Sequence, residues 1–435
     1  MVLWYNYQWK HKLALMQESV ATMDMLTAWN GVKRQLFDSR TNLFYDYVTS
    51  HDREGRFLHL PNPREVKADF PNPCGWGAGM EDCMLNAGSA LDILWKLFPD
   101  PAFTAQVVKG IALCCEGHGR PGFVARGMTP PPEKHCYSNT SRDQLTLAVY
   151  GLWRVIHSHR DISPRVRSEA ARLLELIACD CRKHVIPENR YNLLRLDGKP
   201  AVASTMWNCS AHEALRLPMV YLAAFEATGA SRYLDWANEY LPRALEQTLS
   251  PDERESWWHL PIVQMQLSIL LIAESAAVPE YRELLRRAMD QLVAFAEGKF
   301  LEALGKAEAF HGEWHVPNGN FRLQPMRLQH ATISADRRNA LFEGKPYFVP
   351  VFPEKFAVTR SLLHELGSFL TIFLAPGNRR LPEEWLLRLD RIVSPIDFSR
   401  HCSDGGIKLL HALSFLPTEQ QMRITRRLSL CSSNE

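Results

Sequence analysis

Residues 142–156 read RDQLTLAVYGLWRVI, and residues 163–185 read SPRVRSEAARLLELIACDCRKHV. After its opening turn the first stretch is apolar on every side, which is typical of a helix that is buried all round. The second stretch starts with a serine suited to an N-cap and a proline suited to the first helical position. It then places its apolar residues on one face at helical spacing. The two stretches therefore predict a buried helix followed by a helix that covers it.

The same pairing of a buried helix with a one-faced helix recurs along the chain. A helix that is apolar all round must be wrapped by other helices, so five or six such pairs predict an inner ring inside an outer ring. We therefore predict an all-α fold, an (α/α)6 toroid formed by a single domain over residues 1–435, with a large irregular helical domain as the alternative. The further pairs are 80–98 with 102–116, 212–228 with 231–246, 261–275 with 280–297, 355–374 with 382–392, and 405–415 with 418–428, and an additional helix over 11–30 opens the chain.

Composition and charge exclude several classes of function. The chain has 50 basic and 48 acidic residues and no basic run, which argues against a nucleic-acid partner. No run of eighteen apolar residues occurs, so no membrane partner is expected. The start of the chain lacks the pattern of a signal peptide, which predicts a cytoplasmic protein, or a periplasmic one if the N-terminus was trimmed. The ten cysteines form no C-x-x-C motif and are expected to be free thiols. A homo-oligomer is compatible with the sequence.

The lengths of the connections predict where a functional site lies. Connections from a buried helix to its covering helix are short, whereas those from a covering helix to the next buried helix are long. Long loops in a compact domain are usually functional. In a toroid they all emerge at the end where the inner helices begin, so that end is expected to carry the site. The long connections are residues 31–78, 117–140, 186–209, 247–260 and 298–354.

These loops carry the residue types of a sugar-binding site. Apolar sugar faces stack on aromatic rings, and sugar hydroxyls bind amides and charged groups. Five of the twelve tryptophans lie in these connections, namely Trp76, Trp207, Trp257, Trp258 and Trp314. Tryptophans that merely plug the end of a barrel are the alternative. The residues predicted to bind substrate are Trp76, Arg126, His135, Tyr137, Asn139, Arg142, Trp207, His212, Trp258 and His259.

Acidic residues at the starts of the first two inner helices are candidates for catalysis. Glycoside hydrolysis requires two carboxyl groups that face each other across the scissile bond, and Asp143 together with Glu81 or Asp82 would supply them. Capping is the structural alternative, through Thr140 with Asp143 or through Ser141 with Gln144. Arg142 opposes the helix dipole and needs an anionic partner. That partner is expected to be Asp143, Glu81 or the carboxylate of a substrate.

Two segments resemble a known enzyme group. SRDQLTLAVYGLW (141–153) resembles the S-R-G-Q-x-x-x-x-Y-G helix opening of the unsaturated glucuronyl hydrolases and related six-hairpin glycosidases. GMEDCMLNAGSAL (79–91) is similar to the acidic opening of their first inner helix. The chain also resembles the β-glucuronidases of glycoside hydrolase family 154. The resemblance implies a (α/α)6 barrel, Arg142 near a uronate, and Glu81 or Asp82 as one catalytic carboxyl. The chain departs from the pattern in two places. Those hydrolases place a catalytic aspartate a few residues ahead of the arginine, whereas residues 137–140 contain no acid. Asp143 also replaces the glycine that follows the arginine in the pattern.

The combined prediction is a glycoside hydrolase that acts on an oligosaccharide or glycoside containing a uronic acid, with no cofactor. One alternative is a polysaccharide lyase that uses His135, Tyr137, His212 or His259 as acid and base and neutralises the carboxylate with Asn139 and Arg142. Two further alternatives are a sugar epimerase that relies on His212 and His259 and a non-catalytic carbohydrate-binding protein. No metal site is predicted, since HGEWH (311–315) differs from the H-E-x-x-H zinc motif and is followed by turn residues.

Overall fold

The computed structural model describes residues 25–52, 56–57, 79–129, 136, 138–157, 162–250, 259–315, 323–325, 348–350, 354–377, 379–421 and 424. Within these ranges the helices are α1 (25–36), α2 (Cys83–Lys96), α3 (Pro101–Glu116), α4 (Arg142–Ile156), α5 (Pro164–His184), α6 (Arg216–Thr228), α7 (Ser231–Thr248), α8 (His259–Glu274), α9 (Arg282–Glu308), α10 (Glu354–Leu374), α11 (Glu383–Val393) and α12 (Gly405–Leu413). Residues 418–421 and 424 are also helical. The prediction of an all-α fold is therefore confirmed for the described residues.

The strands are short and occur as three antiparallel pairs. They are β1 (Phe37–Asp38) with β2 (Leu43–Phe44), β3 (Asn192–Leu194) with β4 (Pro200–Thr205), and β5 (Leu323–Pro325) with β6 (Phe348–Pro350). β1 and β2 lie within the first long connection, residues 31–78. β3 and β4 form a hairpin in the connection between α5 and α6.

The described helices divide into buried and covering helices, in the order that the sequence predicts. In α2, α4 and α8 nearly every residue is buried, whereas α5, α7 and α11 bury one face. Along the chain α2 contacts α4, α4 contacts α6, α6 contacts α8, α8 contacts α10, and α10 contacts α12. α12 in turn contacts α2, so the contacts among these six helices form a closed cycle. α4 also contacts α8, which brings the two sides of the cycle together.

Several helix boundaries differ from the sequence prediction, and two of them have identifiable reasons. α1 continues to residue 36 rather than ending at residue 30, and residues 11–24 of the predicted first helix lie outside the described residues. α9 runs to Glu308 rather than to residue 297, because its apolar spacing continues through the buried Phe300, Leu304 and Ala307. Gly298 does not end it, since this residue is exposed on the helix surface. α6 begins at Arg216 rather than at residue 212, because a separate 3-10 turn, Ala211–Glu213, precedes it.

None of the described helices combines the length and the apolar character that a bilayer-spanning segment requires.

Glycines allow α2 and α4 to approach each other closely. A Cβ atom on Gly151 would lie 2.7 Å from the Cα of Gly88, and a Cβ on Gly88 would collide with the main-chain carbonyl of Leu147. Backbone therefore packs directly on backbone at this crossing. The starts of α2 and α4, which carry the predicted carboxyl groups, are consequently held by contacts between main-chain atoms.

Gly88→Ala is expected to destabilise the fold by about 1–3 kcal/mol, because overpacking forces the two backbones apart and outweighs the higher helix propensity of alanine. Gly298→Ala is the matched control, since nothing lies within 4 Å of a Cβ at that position of α9. The control should stabilise the protein by up to about 1 kcal/mol. Urea unfolding of both variants measures the difference, and a stabilised Gly88→Ala variant would contradict the close crossing.

Candidate active site

The first turn of α4 sends three successive side chains to different neighbours. Ser141 is the N-cap of α4, and its side chain accepts a hydrogen bond from the backbone N–H of Gln144. Of the two capping patterns that the sequence allows, Ser141 with Gln144 is the one that forms. Arg142 and Asp143 contact residues at the start of α6, whereas the Gln144 side chain contacts the start of α2.

Arg142 and Asp143 each form an ion pair with a residue at the start of α6. Arg142 pairs with Glu213 and donates a hydrogen bond to the carbonyl of Thr205 at 2.9 Å. Its partner is thus Glu213 and not Asp143 or Glu81, so the expected pairing is wrong. Oδ1 of Asp143 accepts from Nη1 of Arg216 at 2.6 Å, and the Arg216 side chain is fully buried. Both carboxylates are therefore held in place by guanidinium groups.

Gln144 links the start of α4 to the start of α2. Its Oε1 accepts from the backbone N–H groups of Met84 and Leu85, at 3.1 and 3.3 Å, and so satisfies donors that the first turn of a helix leaves free. Its Nε2 donates to Oδ1 of Asp82 at 3.1 Å. Asp82 is the N-cap residue of α2, but its side chain does not cap the helix. The amide of Gln144 replaces that cap and leaves the Asp82 carboxylate turned to other partners.

Asp46 lies two residues after β2 and binds the segment that leads into α2. Its two carboxyl oxygens accept hydrogen bonds from the backbone N–H groups of Glu81 and Asp82, at 2.9 and 3.0 Å. Its carbonyl accepts from the N–H of Asp404 at 2.7 Å. Asp46 is 1% exposed and Glu81 is 8% exposed, so both carboxyl groups are removed from bulk water.

A guanidinium and an imidazole complete this cluster from the other side. Arg360 of α10 donates from Nε and Nη2 to the two carboxylate oxygens of Asp404, at 2.8 and 3.2 Å, and from Nη2 to Oδ2 of Asp82 at 3.2 Å. Nε2 of His364 donates to Oδ1 of Asp404 at 2.8 Å. Burial alone would raise the pKa of Asp404, but Arg360 and His364 outweigh it and hold that pKa well below its usual range. Asp404 is therefore an ionised, buried anchor for Arg360.

The pKa values of the Asp46 and Glu81 carboxyls are raised, whereas the pKa of Asp404 is lowered. Burial raises the pKa of Glu81 and, together with the nearby charges of Asp82 and Glu81, raises the pKa of Asp46 well above its usual range. A hydrogen bond between the two side chains partly offsets the effect for Glu81. Two buried carboxyls in contact share one proton. The pKa of Asp46 is the more strongly raised of the two, but both of its oxygens accept backbone N–H groups, and on this geometry we expect the shared proton on Glu81.

The structure also places other residues that the sequence predicts for substrate binding. Asn139 is buried and accepts the backbone N–H of Thr140, so it shapes the turn before α4. Arg126 is buried and donates to the carbonyl of Glu81 at 3.5 Å, which brings it to the acidic cluster. Trp207 is half-buried and packs its ring against Tyr191 and Tyr240.

The two histidines proposed as acid and base occupy different surroundings. His212 lies 3.8 Å from Glu213, next to the Arg142 ion pair. His259 is buried at the start of α8, where burial and the charges of His364 and Lys306 lower its pKa to about 3. His259 is therefore neutral at physiological pH. Four predicted residues, Trp76, His135, Tyr137 and Trp258, lie outside the described residues.

The carboxylates of the site form two groups. Asp143 and Glu213 pair with Arg216 and Arg142, whereas Asp82 and Asp404 pair with Arg360. Among the described residues, no hydrogen bond or ion pair joins Asp143 to Glu81 or to Asp82. Gln144 is the residue that connects the groups, since it follows Asp143 and binds Asp82. Asp46, Asp82 and Asp404 have carboxylate oxygens within 4.8 Å of one another, a spacing that suits a metal ion. The cation that binds two of them in the structure is the Arg360 guanidinium.

The HGEWH loop takes part in loop packing. Nε2 of His315 accepts from the backbone N–H of Asp397 at 2.6 Å, and Nε2 of His51 contacts the His315 carbonyl at 3.0 Å. Trp314 is buried and packs on Phe310 with ring centroids 4.7 Å apart. This tryptophan is thus a core residue of the loop, as the structural alternative for the loop tryptophans predicts.

Sequence reasoning missed four members of the cluster, Asp46, Arg360, His364 and Asp404. They come from three distant parts of the chain, and no local motif joins them. One signal was available for Asp404, because HCSD (401–404) precedes α12 as GMED (79–82) precedes α2. The shared signal is an acidic residue directly before a buried helix, and it would have indicated both Asp82 and Asp404.

Comparison of the chain with protein-family models, with curated proteins and with solved structures finds no match.

Proposed function

We propose that the protein is a glycoside hydrolase of (α/α)6 toroid architecture that acts on a glycan containing a uronic acid. The closed cycle of contacts from α2 through α12 and back to α2 supports the toroid. The hydrogen bonds and ion pairs described above join the starts of α2, α4, α6 and α12, which supports a single mouth at that end. The resemblance to the glucuronyl hydrolases supplies the class of sugar.

The observation that carries the proposal is the pair of buried carboxyls, Asp46 and Glu81, beside an ionised carboxylate at the same mouth. Acid-catalysed glycoside cleavage needs a carboxylic acid that keeps its proton near neutral pH, and burial next to a second carboxyl provides it. In the proposed mechanism Glu81 donates its proton to the leaving-group oxygen. Asp46 is the second carboxyl of the pair, and its oxygens hold the backbone N–H groups of Glu81 and Asp82 in place.

Asp143 is the proposed general base. Its Oδ1 binds Arg216, its side chain is 21% exposed, and its other oxygen makes no hydrogen bond with a described residue. That oxygen is free to take a proton from a water that attacks the anomeric carbon while Glu81 protonates the opposite side. This arrangement inverts the configuration and requires carboxyl groups about 6.5–9.5 Å apart.

Asp82 is proposed to stabilise the positive charge that develops on the sugar ring. Gln144 and Arg360 hold its two oxygens, so its carboxylate does not have to reorganise during the reaction. Trp207 supplies an aromatic surface near the Arg142 ion pair. The site thus has an acid, a base, a fixed anion and a ring for stacking.

Asp143→Asn is expected to lower kcat/KM about 10²–10⁴-fold on the substrate that the wild-type protein cleaves best, because general base catalysis contributes on that order. The assay is a panel of aryl glycosides that includes the glucuronide and the galacturonide beside the neutral glucoside and galactoside. Asp235→Asn, an exposed carboxylate on α7, is the matched control and should keep full activity.

Two further readouts decide between the alternatives. Proton NMR of the first product should show inverted anomeric configuration. Products that absorb as conjugated uronates would instead establish a lyase, and a product of unchanged mass would establish an epimerase. Activity on the neutral glycosides alone would remove the uronic acid from the proposal, and full activity of Asp143→Asn would remove the general base.

A further inference from the structure

Lys408 is a buried cation for which the described part of the chain offers no bonding partner. It lies on α12, one turn after Asp404, and is 8% exposed. Its ammonium group forms no hydrogen bond and no ion pair with any described residue. The guanidinium groups at the mouth differ in this respect, since Arg142 pairs with Glu213 and Arg360 pairs with Asp404.

Lys408 lines a small cavity enclosed by five of the buried helices. α2, α4, α8, α10 and α12 all contribute residues, and the polar ones besides Lys408 are Ser89, Ser368, Thr371 and His411. Leu260, the second residue of α8, is half-buried and lies at the edge of the cavity nearest the helix starts. The cavity therefore lies beneath the mouth, and hydroxyl donors line it together with the ammonium group.

No carboxylate among the described residues contacts the ammonium group of Lys408, so no ion pair neutralises its charge. Burial lowers the pKa of Lys408, the carboxylates of Asp404, Asp82 and Asp46 oppose this effect, and Arg360 adds to it. The carboxylates act from beyond contact distance, and each already binds Arg360 or backbone N–H groups. An ammonium group removed from water without a partner costs several kcal/mol of folding free energy. Residues that destabilise the fold in this way are frequently functional.

We propose that Lys408 binds the carboxylate of the uronic acid at the floor of the mouth, and that it sets the preference for acidic over neutral sugars. The inference rests on the proposed function and assigns the contact to Lys408, because Glu213 already neutralises Arg142. The hydroxyls of Ser89 and Ser368 supply neutral hydrogen bonds to the same group. A closed floor of this kind also favours binding of a terminal sugar rather than of an internal one.

Lys408→Met is the test, because methionine keeps the length of the side chain and removes its charge. We expect wild-type protein to bind glucuronate or galacturonate at least tenfold more tightly than glucose or galactose. The variant should lose at least tenfold in affinity for the acid and stay within twofold for the neutral sugar. Lys299→Met is the matched control, since that lysine pairs with Glu302 on the surface of α9. It should bind all four sugars as wild type does.

Thermal unfolding separates a ligand-binding role from a structural one. A lysine that only awaits a ligand is destabilising, so Lys408→Met is expected to unfold at or above the wild-type temperature. A lower unfolding temperature with unchanged affinity for the acid would establish a structural role and overturn the inference. Lys408→Gln is the second variant, because it keeps a hydrogen-bond donor without charge and should lose the same preference for the acid.

Calorimetric binding is measured without turnover, so the two proposals can fail separately. Wild-type protein that cleaves no glycoside but binds uronate through Lys408 overturns the hydrolase and supports the lysine assignment. Wild-type protein that cleaves a glucuronide, together with a Lys408→Met variant that keeps its preference for the acid, overturns the lysine assignment alone. A wild-type protein that shows no preference for acidic over neutral sugars also overturns the lysine assignment.

Discussion

Asp92→Asn is expected to destabilise the protein by about 3–5 kcal/mol, because the change removes the carboxylate from a buried cluster of cations. Asp92 of α2 is fully buried. Its Oδ2 accepts from Nζ of Lys96 at 2.5 Å and from Nε2 of His411 at 2.7 Å, and its Oδ1 lies 3.2 Å from Nε of Arg154. These partners belong to α2, α12 and α4, so a single carboxylate joins three neighbouring buried helices.

The remaining contacts of Arg154 extend the cluster to a fourth helix. Its guanidinium donates to the Tyr150 hydroxyl and to the carboxylate of Glu274 at the end of α8. Without Asp92 the buried Arg154 and His411 would lose a charged acceptor that an asparagine cannot replace. The cluster lies towards the ends of the buried helices, whereas the proposed active site lies at their starts. Loss of stability through Asp92 should therefore leave the chemistry of the folded protein intact.

The effect of Asp92 should depend on pH in a defined direction. Burial alone would raise the pKa of Asp92, but Lys96, His411 and Arg154 outweigh it and lower that pKa well below its usual range. A carboxyl with a lowered pKa in the folded state contributes stability above its unfolded pKa of about 3.9 and loses it as the pH falls. The difference between wild type and Asp92→Asn should thus be full at neutral pH and shrink below about pH 4.

Urea unfolding at several pH values measures this difference. Glu302→Gln is the control, because Glu302 is exposed and pairs only with Lys299, and its effect should stay within about 0.5 kcal/mol. An Asp92→Asn variant within 1 kcal/mol of wild type at neutral pH would show that the buried cluster contributes little.

Glu81→Gln is expected to lower kcat/KM by about 10²–10⁴-fold, because glutamine cannot donate the proton that the leaving group requires. In the proposed mechanism the active form of Glu81 is the protonated one, and burial raises the pKa of Glu81. Wild-type activity should therefore be highest below that raised pKa and fall as the pH rises through it. The variant cannot titrate at this position and should lose the fall on the alkaline side.

Asp46→Asn provides a second test of the same proton. The hydrogen bond between Asp46 and Glu81 lowers the pKa of Glu81, so its removal should shift the alkaline fall in activity to higher pH. Glu313→Gln changes an exposed carboxylate in a loop and serves as the control. A Glu81→Gln variant with the wild-type pH profile would contradict the assignment of Glu81 as the acid.

The sequence predicts the helical pairs because local periodicity reports which side of a helix is buried. The alternation from an all-round apolar helix to a one-faced helix is visible at α4 and α5 without any tertiary information. Helix ends are harder to predict, as α9 shows, because a glycine on an exposed face is tolerated there. The acids before α2 are also visible, since they lie directly in front of a buried helix.

The partners of those acids could not be predicted in the same way. Asp46 lies 36 residues before Asp82, and Arg360 lies 278 residues after it, with Asp404 farther still along the chain. These side chains therefore meet Asp82 only when distant segments come together. Arg142 shows the opposite problem, because its need for an anion is evident from the sequence but the choice of Glu213 depends on the turn before α6. Lys408 carries no sequence signal, since a single lysine in an apolar helix does not show whether it has a partner.

The contact between Gly88 and Gly151 has a consequence for how this protein can diversify. Because main-chain atoms set the separation of α2 and α4 at this crossing, we expect mutations in the surrounding side chains to leave the span between Glu81 and Asp143 unchanged. Loops around the opening can then be exchanged by selection, altering which saccharide the proposed enzyme accepts while the proposed acid and base keep their separation.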